Sequence, residues 1–257
     1  MFARLVYTLH IRSRDYYCTF DTMSASQSLH LSVDCVVFGY DDSGLRVLVI
    51  NQKGLPEGVH DGPKTQLPGD LILMDEGLDQ AAERVLRELT QLQGIYLKQF
   101  MAFGDPYRVS ELKDRAWLQS VRHLPDQRVV TVGYYGLVSL HDYNPRPASF
   151  AGGVQWLDLN EVGPLAFDHN SILDKAFDSL KEQIEHHHIS FELLPKKFTL
   201  TQLQALYELV LDKKFDKRNF RKNVKKMNHV VPLDEKQTGV MHKPAQLFSY
   251  HPDENSK

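Results

Sequence analysis

From Leu31 the chain falls into short runs of distinct period. LSVDCVVFGY alternates and is rich in β-branched and aromatic residues, DDSG supplies turn residues, and LRVLVINQK repeats the strand pattern. Together they predict a β-hairpin. Leu55 to Gln66, rich in Gly, Pro and polar residues, reads as a loop. After the extended piece LPGDLIL, Ala81, Ala82, Val85, Leu86, Leu89 and Leu92 recur at helical spacing. They predict an amphipathic helix from about Leu78 to Leu92, with Asp79 or Glu76 favouring its N-terminus. Tyr96 to Gly104 and Arg128 to Leu140 read as strands, separated by a polar insertion from Tyr107 to Gln127. Val154 to Leu159 is a further strand. Phe167 to Gln183 fits a helix with Asn170 or Ser171 as N-cap. Strands surrounding two helices in mixed order predict an α+β sandwich of about 150 residues.

A second unit begins at Phe198. Thr199 and Gln202 have the spacing of a capping box, and Leu203, Leu206, Tyr207, Val210 and Leu211 form one helical stripe. Asp216 is a good N-cap for DKRNFRKNVKKM, whose Phe220, Val224 and Met227 face a core. HVVPL, a turn with Gly239, and AQLFSYH then read as two strands joined by a loop. Two helices, a short turn and a hairpin are the layout of a winged helix-turn-helix. The stretch between the units, EHHHISFELLPKK, reads as a connector. Its adjacent histidines point in different directions and make a poor metal site. The expected organisation is a leader at 1–30, a first domain at 31–184, a connector at 185–197, a winged helix at 198–251 and a tail at 252–257.

Composition narrows the classes. Hydrophobic residues make up 42% and charged residues 25% of 257, ordinary for a globular chain. Two cysteines, Cys18 and Cys35, supply no disulfide framework and no metal knuckle, so a reducing, cytoplasmic setting is expected. No apolar run approaches the ~20 residues of a bilayer span, and no membrane partner is expected. Met1 to Thr22 has two readings that remain open. One is a weak targeting segment; the other is that translation starts at Met23.

The net charge is −3, so any surface for nucleic acid must be local. Lys213 to Lys226 contains eight basic residues against one acid, Asp216. Clustered cations of this kind are repaid on phosphates by counterion release. Lys213, Lys214, Lys217, Arg218, Asn219, Arg221, Lys222 and Lys225 are the candidate DNA contacts, with Lys217, Arg218 and Asn219 placed to reach base edges. A solvated charged face, or a basic surface for a protein partner, is the competing reading.

The segment LPGDLILMDEGLDQAAERVLRELTQLQG resembles the Nudix box, a loop-helix-loop whose glutamates hold Mg²⁺ against a diphosphate. In one register Glu76 and Arg84 match the first Glu and the Arg. The family glycine then falls on Asp70, the three metal positions on Val85, Glu88 and Leu89, and the late glycine on Gln91. A register three residues later uses Asp79, Arg87 and Gly94, with metal positions at Glu88, Gln91 and Leu92. In both registers one metal carboxylate of three survives. The residual box residues are Glu76, Arg84 and Glu88. No catalytic residue, metal or obligatory cofactor is expected; Mg²⁺ enters only if the chain is an active hydrolase of a nucleoside diphosphate derivative.

A Nudix-like domain followed by a winged helix resembles the Nudix-related transcriptional regulators, among them NrtR-type repressors of NAD metabolism and AraR-type sugar regulators. The likeness covers about Leu31 to Tyr250. It is carried by the box, YLKQFMAFGDPYR, RVVTVGYYGLV, LAFDHNSIL, LPKKFTLTQLQALYELVL and DKRNFRKNVKKM. The insertion at Tyr107 to Gln127 and Gln91 depart from the family. The resemblance implies an α/β/α Nudix-like sandwich and a regulator, homodimeric on double-stranded operator DNA. Its effector would be a small molecule: a nucleotide-sugar diphosphate such as ADP-ribose, or a sugar. Gln66, Asp70, Glu76, Arg84, Glu88, Arg108, Arg128 and Tyr135 are the candidate effector contacts.

Overall fold

The computed structural model describes residues 29–41, 43–51, 65–109, 127–140, 153–187, 189–239 and 243–251. The expected leader up to residue 28, residues 252–257 of the tail and most of the insertion (110–126) lie outside them.

The first unit is built on one mixed sheet. Strands β1 (His30–Asp41), β2 (Gly44–Asn51), β3 (Thr65–Gln66), β4 (Gly69–Leu71), β5 (Leu97–Phe103), β6 (Val129–Ser139) and β7 (Gly153–Asp158) all belong to it. The order is β3-β2-β1-β6-β5, with β4 also on β1 and β7 on β2. β1 runs parallel to β6 along nearly its whole length. Its first half pairs with β4 and its second half with β2, both antiparallel.

Alternation along β1 feeds two cores. Val33, Cys35 and Val37 face helix α1 (Leu78–Thr90), which contributes Ala81, Ala82, Val85 and Leu86. Val36, Phe38 and Tyr40 face helix α2 (His169–His187), which contributes Ile172, Ala176, Leu180 and Ile184. A strand covered on both sides reads as a near-continuous apolar run, as β1 does. The result is an α/β/α sandwich.

Two local expectations shift. The second helix starts at His169, and Asn170 does not cap it. Instead Asn170 Oδ1 accepts from Leu165 N at 2.8 Å and its Nδ2 donates to Gly163 O at 3.1 Å, closing the preceding turn. The stretch 185–197 is not a free connector. α2 continues to His187, and a 3₁₀ turn follows at Ile189–Leu193. Phe191, Leu193 and Leu194 are buried in the α2-side core. The apolar residues of ISFELL outweigh its polar neighbours, because burying three large side chains stabilises by several kcal/mol (~1.5–3 each). Of the three histidines, no side chain is among the described residues.

The second unit has helix α3 (Leu200–Leu211), helix α4 (Lys217–Val224) and a two-stranded wing, β8 (Val230–Lys236) with β9 (Gln246–Tyr250). The capping box forms: Thr199 Oγ1 accepts from Gln202 N, and Gln202 Oε1 accepts from Thr199 N at 2.9 Å. α3 ends at Asp212, whose backbone is left-handed (φ 48°). Asp216 caps α4 by accepting from Asn219 N at 2.8 Å. The wing is sewn to the rest by the Phe198–Phe248 bridge and by Phe191 stacked on Tyr250 at 4.3 Å. α2 packs against α3, and one apolar cluster runs from the sheet through α2 into Leu203, Leu206 and Val224.

Candidate functional sites

The Nudix-like box folds around Arg84, which is buried despite its charge. Its Nε donates to both oxygens of Glu76 (2.9 and 3.1 Å) and its Nη2 to Glu76 Oε1 and Leu71 O, each at 2.8 Å. Nη1 lies 3.4 Å from Asp70 and from Glu88. The guanidinium holds the Glu76 carboxyl below its ordinary range, mainly through these hydrogen bonds. The Glu–Arg pair of the first register, Glu76 with Arg84, forms. Of the alternative pair, Asp79 instead accepts from Tyr134 OH at 2.6 Å, and Arg87 is exposed.

The same register explains the metal positions. Val85 is fully buried under the sheet, Leu89 packs on the α1-side core, and Glu88 turns to Arg84. Mg²⁺ is held by oxygen donors, and this face offers one carboxylate already engaged by a guanidinium. Among the described residues, no group of three His, Cys, Asp or Glu is placed to hold a metal ion. The donor set does not fit a Nudix metal cage. Gln91, where the family has glycine, has φ 60° and ends α1 in the left-handed region that favours glycine.

The other effector candidates do not form one cluster. Gln66 is buried on β3, and Arg128 is exposed with Nη2 donating to Gly104 O at 3.1 Å. Tyr134 faces α1, so its neighbour Tyr135 faces the α2-side core, on the other side of the sheet from Arg84. Burial pushes its phenol up to about 12.

Arg108 belongs to a second buried network. Its Nε and Nη2 grip Asp168 at 2.9 and 2.8 Å, and Nη2 lies 3.4 Å from Asp34. His169 joins it. Its Nδ1 accepts from Leu67 N at 3.0 Å, so the ring proton sits on Nε2, 3.5 Å from Asp34. A Cβ on Gly69 would lie 1.9 Å from Asp34 Oδ1 and 3.0 Å from the Val33 carbonyl, so only glycine fits there. Asp34, Asp168 and His169 were not foreseen from the sequence. The one signal for Asp34 was an acid within an apolar-rich strand pattern.

The basic surface forms as the sequence predicts. Phe220 and Val224 are buried, and Lys213, Lys214, Lys217, Arg218, Arg221, Lys222, Lys225 and Lys226 are all exposed. Among the described residues, only Lys214 of these pairs with an acid, Glu208, at 3.0 Å. Asn219 is exposed at the start of α4 beside Arg218. Glu208 shapes the turn between the helices: it accepts from Phe215 N at 3.0 Å and from Gln204 Nε2 at 2.9 Å. These hydrogen bonds, Gln204 first, hold its carboxyl down to about 2.

Residues 190–250 match the NrtR DNA-binding winged helix domain family, beginning within the stretch first read as a connector. Along most of its length the chain is similar to the "ADPR responsive transcriptional repressor NtrR" of Acinetobacter baylyi. They are 28% identical over 224 residues, 86% of this chain and 81% of the relative. In three dimensions it is similar to Shewanella oneidensis NrtR solved with a 27mer DNA (TM-score 0.67, 26% identity, 87% of this chain and 94% of that one). A MutT/nudix family protein of Enterococcus faecalis shares the fold (TM-score 0.65, 23% identity, 90% of each chain). Among the described residues, no helix is long and apolar enough to cross a membrane.

Proposed function

We propose that this chain, a Nudix-related regulator of the NrtR type, represses transcription by binding double-stranded operator DNA through α4 and the wing, and that ADP-ribose controls its affinity. The observation that carries the reading is the charge on α4 and the residues flanking it, Lys213 to Lys226: eight exposed cations, seven of them without an acidic partner among the described residues. Phosphates are the ligand that such a surface is built to neutralise. The likeness to the A. baylyi repressor supports ADP-ribose as effector. The α1 face supports a sensing role over a catalytic one, since two of its three metal positions are apolar, Val85 and Leu89.

We further propose a homodimer in the cytoplasm. Two copies would present two α4 helices to the half-sites of a palindrome, matching protein symmetry to DNA symmetry. Asp70, Glu76, Arg84 and Glu88 remain the effector contacts to test first, and the effector needs no metal to bind.

The test is genome-wide mapping of bound fragments, followed by fluorescence anisotropy on the enriched sequence with and without ADP-ribose. A specific fragment with a steep salt dependence and an affinity altered by ADP-ribose supports the reading. Absence of binding to any genomic fragment would end it. A sugar that alters affinity where ADP-ribose does not would replace the effector.

A further inference from the structure

The buried network around Arg108 joins four segments that are remote in sequence. Asp34 comes from β1, the central strand. Leu67 and Pro68 lead into β4 (Gly69–Leu71), whose Asp70 and Leu71 are both partners of Arg84. Arg108 follows β5, and Asp168 and His169 begin α2. Arg108 donates twice to Asp168 and once, at 3.4 Å, to Asp34; Leu67 N donates to His169 Nδ1, and His169 Nε2 lies 3.5 Å from Asp34. Cys35 N donates to Pro68 O at 2.8 Å, fixing the Leu67–Leu71 segment from its other side.

A second observation marks the same place. Phe167 has φ 58°, a left-handed backbone costly for an aromatic residue. It stands immediately before the two residues that turn inward to Arg108 and Leu67. Strain of this kind persists only where surrounding contacts over-determine it.

From this joint α2 runs 19 residues, about 28 Å. Its distal half contributes Leu180 and Ile184 to the apolar cluster that also holds Phe191, Leu200 and Leu203. A rigid helix thus starts at the network and ends on the winged helix. The near end of the network is one short segment away from Arg84.

We propose that Arg108, clamped between Asp34 and Asp168, is the positioning residue that passes effector occupancy from the Leu67–Leu71 segment, which includes β4, to α2 and thence to the winged helix. This rests on the effector-controlled reading above. A ligand that engages Asp70 or Arg84 shifts the Leu67–Leu71 segment, which is tied to His169 through Leu67 and paired with Asp34 through β4. Displacing either changes the seat of Asp168, and α2 moves as a lever. Coupling requires that the ligand favours one of two arrangements, and a buried charge network of fixed geometry supplies discrete ones.

The experiment compares wild type, Asp168→Asn and Asp34→Asn, isosteric changes that each remove one carboxylate charge from the clamp on Arg108. Operator affinity is read by anisotropy with and without ADP-ribose, effector binding by calorimetry, and folding by thermal melts. Wild type is expected to change operator affinity about tenfold on ADP-ribose, within the usual range of allosteric coupling. The variants are expected to bind operator and effector as wild type does, but to lose most of that change. A folded variant with the full wild-type response overturns the proposal, as does one that loses effector binding itself. Hydrogen exchange on wild type gives an arm independent of the variants. Protection should change together in 67–71 and along 169–187; a change confined to 67–71 overturns the proposal. If wild type shows no response to ADP-ribose, the effector assignment has failed instead, and the sugar arm is run on the same variants.

Discussion

Glu76 and Arg84, eight residues apart, meet through three contacts of 2.8 to 3.1 Å with both side chains almost wholly out of water. The pair ties the loop before α1 to the helix itself. Breaking it would leave a buried guanidinium with only the two longer contacts to Asp70 and Glu88 and the Leu71 carbonyl.

The first prediction follows from that pair. Glu76→Gln should lower stability at neutral pH by about 2 kcal/mol, the scale of hydrogen bonds to a charged group. The sign of its pH dependence is fixed by the direction of the shift. The Glu76 carboxyl is held below its ordinary 4.5 by Arg84. Its stabilisation is therefore complete above about 4.5 and is lost as pH falls through the lower folded value. Urea melts from pH 7 to pH 3 should show wild type losing its advantage over Glu76→Gln on the acid side. A gap unchanged down to pH 3 would contradict the assignment.

A glycine is wanted where this chain has none. Gln91 ends α1 at φ 60°. Gln91→Gly removes the left-handed penalty at a helix C-terminus and should stabilise by up to ~1 kcal/mol. The urea midpoint should rise with an unchanged m-value. A fall in midpoint would show that the Gln91 side chain makes a contact worth more than the strain.

The missing carboxylates cannot simply be put back. Val85 is fully buried, so Val85→Glu buries an unpaired charge and should destabilise by roughly 3 kcal/mol or more. Leu89→Glu, at a partly buried position, should be milder. Neither should create Mg²⁺-dependent hydrolysis of ADP-ribose, and wild type should show none that depends on Glu88. Turnover by wild type that disappears in Glu88→Gln would make this chain a hydrolase.

Periodicity made the scaffold legible. The apolar stripe of α1, the capping box at Thr199 and the Asp216 cap are local features, and local features are written in adjacent residues. The basic helix was legible for the same reason, because charge clustered within Lys213 to Lys226 needs no fold to be seen. Pairings remote in sequence were not legible. Arg108 with Asp168 and Asp34 spans 60 and 74 residues, and nothing in GDPYR or LAFDHNSIL says that these segments meet. The face that Tyr135 takes was not legible either, because a strand covered on both faces offers no polar phase to tell one face from the other. The burial of Phe191, Leu193 and Leu194 in the connector was not legible because neighbouring histidines and lysines mask them in the sequence.

That connector now carries a stability prediction. Phe191 is buried, stacks on Tyr250 and packs near Phe198 at 5.8 Å. Phe191→Ala should cost about 3 to 5 kcal/mol, as for other large-to-small core changes. Because Phe191 holds the wing against the sandwich, operator affinity should fall with it while effector binding is retained. Melting indistinguishable from wild type would restore the reading of a loose linker.

The last prediction separates phosphate binding from generic surface charge. Arg218 and Arg221 are exposed on α4, and no acid is paired with either among the described residues. Each phosphate contact contributes about −0.9 to the slope of log affinity against log salt. If both arginines bind phosphate, Arg218→Ala/Arg221→Ala should reduce the magnitude of that slope by about 2 and weaken binding uniformly across sequences. If Arg218 instead reads a base, the slope should drop by only about 1, and Arg218→Ala should relax preference at one operator position. Titrating operator and scrambled DNA at several salt concentrations distinguishes the two. An unchanged slope and affinity in the double variant would mean that α4 does not face DNA at all, which would return the basic helix to a solvated surface or a protein contact.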